Sequence, residues 1–66
     1  MANDEPGPLT PEQREAVFLA LVEAMRATLD LTRARRLVAR RFGVTEQEVR
    51  RIEEEGVEGQ WPPLGS

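Results

Sequence analysis

Hydrophobic positions between Thr10 and Gly56 fall into three runs with a helical period, each bracketed by capping residues. In the first run Phe18, Leu21, Val22, Met25 and Leu29 recur at i, i+3, i+4, i+7 and i+11, and Val17 widens the same face. Thr10 stands before it as an N-cap, Pro11 occupies the first helical position and Gln13 completes a capping box, so a helix is predicted over residues 11–29. Leu19 lies further round the wheel beside Ala16 and Ala20 and marks a candidate partner contact. The second run buries Ala34, Leu37, Val38 and Phe42 on one stripe of a helix over 31–42, capped by Asp30 or Thr32 and ended by Gly43 in a left-handed conformation. The third, over 46–55, turns Val49 and Ile52 inward. Thr45 is its N-cap, Glu48 the capping-box partner and Gly56 the C-cap.

The second and third helices carry the spacing of a helix-turn-helix. Val38, Phe42, Val44, Val49 and Ile52 point into a shared core, Ala39 is small at the helix crossing, and Gly43 accepts positive φ at the turn. The fold class that follows is all-α, a small three-helix bundle containing a helix-turn-helix, with an extended Trp/Pro C-terminal tail. Residues 1–8 (MANDEPGP) are polar and rich in Pro and Gly, the composition of a disordered lead-in. The helical domain then spans 9–57, and 58–66 form the tail, because Pro62 and Pro63 forbid a helix. Trp61, the one tryptophan, is expected to fold back on the bundle and add apolar area that a 66-residue core lacks; the rival reading is an exposed Pro-rich ligand for another protein.

Composition removes several classes of function. The chain has no Cys and no His, hence no disulfide, no thiol nucleophile, no imidazole base and no zinc site of the usual ligands. So small a scaffold is not expected to enclose a substrate pocket, and the reading is of a non-enzyme without cofactor or small-molecule substrate. The longest apolar run, Ala16 to Val22, falls far short of the ~20 residues that span a bilayer. With no signal peptide at its start, the expected location is the cytoplasm.

Net charge is −3, but the distribution is uneven. Between Arg33 and Arg51 seven arginines face only Glu46 and Glu48, which gives that segment +5 and leaves −8 for the remainder. Local potential governs binding within a Debye length of about 8–10 Å, so this segment is the candidate anion-binding surface. Arg33, Arg36 and Arg40 form one stripe of the second helix, within about 60° of one another.

VTEQEVRRIE, Val44 to Glu53, resembles the second half of the region-four domain of bacterial sigma factors, where a V-T-x-x-x-I-R-x-I-E pattern forms the helix that reads the promoter. LTPEQREAV, Leu9 to Val17, is similar to the L-T-P-x-x-R-x-V start of that domain. The resemblance implies a DNA-binding protein of bacterial transcription, with Thr45 and Arg50 at positions that touch DNA. This chain departs from the pattern with Glu46 then Gln47 where the family commonly has Arg then Glu, and with Glu53, Glu54 and Glu55 where the family has basic residues.

From the side-chain chemistry, Gln47 suits adenine and Arg50 guanine, while Arg51 and the Arg33, Arg36 and Arg40 stripe suit phosphates of duplex DNA. Pairing with Glu53 to Glu55 is expected to offset part of the charge on Arg50 and Arg51. The alternative is a protein–protein interaction module, docking a protein partner or forming a homodimer through Leu19, Glu53, Glu54, Glu55 and Trp61 without reading DNA.

Overall fold

In the computed structural model, which describes residues 9–65, helix α1 runs Pro11–Thr28, α2 Leu31–Phe42 and α3 Glu46–Gly59, and each pair of helices is in contact. Local signals start the helices as expected. The Thr10 hydroxyl accepts from the Gln13 N–H at 3.1 Å, while the Gln13 side-chain oxygen accepts from the Thr10 N–H at 2.8 Å, closing the capping box. Asp30, not Thr32, caps α2 by accepting from the Arg33 N–H at 3.2 Å. Thr45 caps α3 through the Glu48 N–H at 3.0 Å. Only that half of the second capping box forms, because the Glu48 carboxylate turns to Arg14.

The core consists of Val17, Phe18 and Leu21 from α1, Ala34, Val38 and Ala39 from α2, and Val49 and Ile52 from α3. Leu9, Val22, Met25, Phe42, Val44 and Trp61 pack around it, partly buried. The result is a three-helix bundle with no strand among the described residues. No helix among them is long and apolar enough to cross a membrane.

Four expectations are corrected. Leu37 is not core: it is 46% exposed, because α2 uses its small residues Ala34 and Ala39 at the centre and rotates Leu37 to its outer flank. Leu29 is not the last rung of the α1 stripe. It is the C-cap itself, at φ 58, and 88% exposed. Gly56 does not end α3, which continues to Gly59 and closes at Gln60 (φ 51), so residues 58 and 59 belong to the helix and not to a tail. Residues 61–65 are folded into a turn, with Trp61 O accepting from the Leu64 N–H at 2.7 Å, where an extended run was expected. The expected lead-in over 1–8 lies outside the described residues.

Gly56 is a packing residue. A Cβ there would stand 2.7 Å from Cγ of Phe18 and closer still to the ring's edge, so its absence lets α3 lie against that ring. Trp61 meets the same ring edge-on, with centroids 5.8 Å apart and planes at 86°, a favoured aromatic geometry. Gly43, at φ 69, makes the helix-turn-helix turn, with the Val44 N–H bonded to Ala39 O at 3.0 Å.

Candidate nucleic-acid interface

The capped start of α3 presents Thr45, Gln47, Arg50 and Arg51, all exposed, on the side turned away from the buried Val49 and Ile52. The Thr45 hydroxyl is engaged as the N-cap. Gln47, Arg50 and Arg51 line one shallow depression of about 410 Å³ together with Glu46 and Glu54. Arg50 also lines a second, of about 340 Å³, with Arg35, Glu53, Glu54, Val57 and Glu58. Among the described residues neither Arg50 nor Arg51 makes an ion pair.

The glutamates that follow are held chiefly by other arginines, and the expected offset survives only as the charge of Arg51 acting on Glu55, without a salt bridge. Glu53 accepts two hydrogen bonds from Arg35 of α2, from Nε at 3.0 Å and Nη2 at 2.8 Å, with both side chains more than three-quarters buried. Glu55 accepts from Arg14 of α1, from Nε at 3.0 Å and from Nη2 in a closer contact, and Glu48 stands 3.7 Å from the same guanidinium. Donation by Arg14 holds the Glu55 carboxyl below the usual carboxylate range and raises Arg14 above the usual guanidinium value. Two of the three carboxylates therefore tie α3 to its neighbours, on different sides. Glu54 remains exposed.

On α2, Arg33, Arg36 and Arg40 are all exposed. Arg36 Nε lies 3.8 Å from Glu46 Oε2, which brings the stripe beside the first turn of α3. Arg33 and Arg40 make no ion pair among the described residues. Arg36 thus stands beside the start of α3, and Arg33 and Arg40 share its stripe of α2.

The residues of the docking alternative are scattered. Leu19 is exposed on α1, Glu53 is directed to α2, Glu55 to α1, and Trp61 is half-buried on Phe18. The Arg14 and Arg35 clamps were not singled out from sequence. Their partners lie 41 and 18 residues away, beyond any local pattern. No group of three or more acidic residues among the described residues is arranged to hold a metal ion. Comparison with models of known protein families, with characterised proteins and with solved structures finds no match.

Proposed function

We propose that the chain binds duplex DNA with its helix-turn-helix, in the manner implied by its likeness to sigma region four, as a cytoplasmic transcription-related protein of bacterial type. The observation that carries this reading is that Gln47, Arg50 and Arg51 stand together, exposed and without a salt bridge among the described residues, while Glu53 and Glu55 are bonded to Arg35 and Arg14. In this arrangement α3 enters the major groove by its N-terminal half, and Arg50 and Gln47 hydrogen-bond base edges. Arg33, Arg36 and Arg40 follow the adjacent phosphates, with Arg36 exchanging its exposed Glu46 partner for one of them.

A second reading, a helical protein-docking module, is favoured by one observation: the α3 depression holds as many carboxylates, Glu46 and Glu54, as guanidiniums. Titration of random-sequence duplex at low and moderate salt, followed by backbone amide shifts, separates the two. A DNA binder is expected to show shifts from Thr45 to Arg51 and a steep loss of affinity with salt. Arg50→Ala should cost roughly 1–3 kcal/mol and relax preference at one base pair, while Arg40→Ala weakens all sequences alike. Replacing Glu54 with Gln should tighten DNA binding. A duplex that leaves α3 unshifted at low salt would leave the docking module as the reading.

A further inference from the structure

Leu37 was expected in the core and lies outside it, 46% exposed, at the edge of a groove between α1 and α2. The groove holds about 300 Å³ and is lined by Ala20, Glu23 and Ala24 of α1 and by Leu37, Val38 and Arg41 of α2. Its floor is apolar and short-chained, so another helix can approach closely. Its rims are charged and opposite in sign, with Glu23 contributed by α1 and Arg41 by α2. Among the described residues neither has an ion-pair partner; the Arg41 guanidinium rests 5.7 Å from the centre of the neighbouring Phe42 ring.

We infer that this groove is the contact between two copies of the chain. A patch with an apolar centre, an anion on one rim and a cation on the other is complementary to itself under a two-fold rotation. The rotation sets α1 of one copy across α2 of the other. Leu37 of each then covers the alanines of its mate, and Glu23 meets Arg41 twice. A partner of uniform charge would satisfy one rim and oppose the other, which is why a second copy fits best. The strip is narrow, and the association belongs with the weak class of interface. The inference does not rest on the DNA reading. Leu37 lies about 200° round α2 from Arg35, which bonds α3 through Glu53, so pairing by this groove leaves α3 itself open, while Arg33 and Arg40, within about 60° of Leu37 on the helix, border the contact.

Sedimentation velocity on the full chain without DNA, from about 10 μM to about 1 mM, tests it. The mass is expected to rise from monomer towards dimer over that range. Leu37→Glu and, separately, Glu23→Arg should each raise the half-association concentration at least about tenfold. Helix content and melting temperature are followed alongside, since both positions are on the surface. Charge exchange gives the specific readout: Glu23→Arg and Arg41→Glu chains should each stay monomeric alone and pair when mixed, because the mixture restores both Glu–Arg contacts. A wild-type chain monomeric at the top concentration would overturn the inference. So would a dimer indifferent to these substitutions, or a mixture that fails to associate.

Discussion

A leucine sits where helix ends favour glycine. Leu29 closes α1 at φ 58 with its N–H on Met25 O, and its side chain is nearly all in solvent, so it gains little from burial to offset the crowding of its Cβ. Leu29→Gly is therefore expected to raise stability by about 0.5–1 kcal/mol in urea denaturation, after allowance for the freedom glycine adds to the unfolded chain. Gly43 is the converse case. Nothing lies within 4 Å of where its Cβ would stand, so any cost of substitution comes from φ 69 alone. Gly43→Val should lose more than ~1 kcal/mol, because a β-branched residue resists that conformation, and Asn should lose less. An acid dependence belongs to Glu55. Its folded pKa lies below the unfolded one, so the stabilisation is complete above the ordinary carboxylate range and is lost as pH falls through the lowered value. Glu55→Gln should flatten the acid limb of a stability–pH curve, and an unchanged limb would remove Arg14–Glu55 as a clamp.

Within α3, two rules oppose each other at Gly56. Helix propensity favours alanine there by about 1 kcal/mol, since glycine in a helix interior leaves more backbone freedom to be lost. Packing opposes it, because the added methyl would overlap the Phe18 ring, and overfilling a close-packed site costs about 1–3 kcal/mol. The ring is also in edge contact with Trp61, which restricts its movement. Packing should prevail. Gly56→Ala is expected to lower the chemical-denaturation midpoint, and Phe18→Leu should cost less in the Gly56→Ala background than alone. Additive effects of the two substitutions would show that α3 and the ring are not in contact.

For the molecule as a whole, the limiting resource is apolar area. Its fully buried side chains are few and mostly aliphatic, with Phe18 the largest. Trp61 adds one ring to that core against the last turn of α3, and the C-terminal cap of α3 directs it there, with the Trp61 N–H bonded to Gly56 O at 2.9 Å. Trp61→Ala is expected to cost about 2–3 kcal/mol, at or below the range for fully buried aromatics because part of the indole stays in contact with water. Native fluorescence should be blue-shifted and move to the red on unfolding. A water-like emission from the folded chain would contradict the packed position.

What the sequence determined alone are the features decided within about one helical turn. Thr10 with Gln13, Thr45 with the Glu48 N–H, and Gly43 at positive φ each depend on neighbours no more than about four residues away, and the apolar period of each run selects its inward face. Three helices and a tight turn follow from those terms. The exposed positions of Gln47, Arg50 and Arg51 were legible in the same way, as the face opposite Val49 and Ile52. Tertiary structure decided whatever depends on how far each helix rotates about its axis when all three meet. That rotation turned Leu37 out of the core, set Gly56 against Phe18, and gave the hydrogen bonds of Glu53 and Glu55 to Arg35 and Arg14. These contacts join residues 18 to 41 positions apart, where no periodic pattern reaches and only close packing of the assembled bundle selects the pairing.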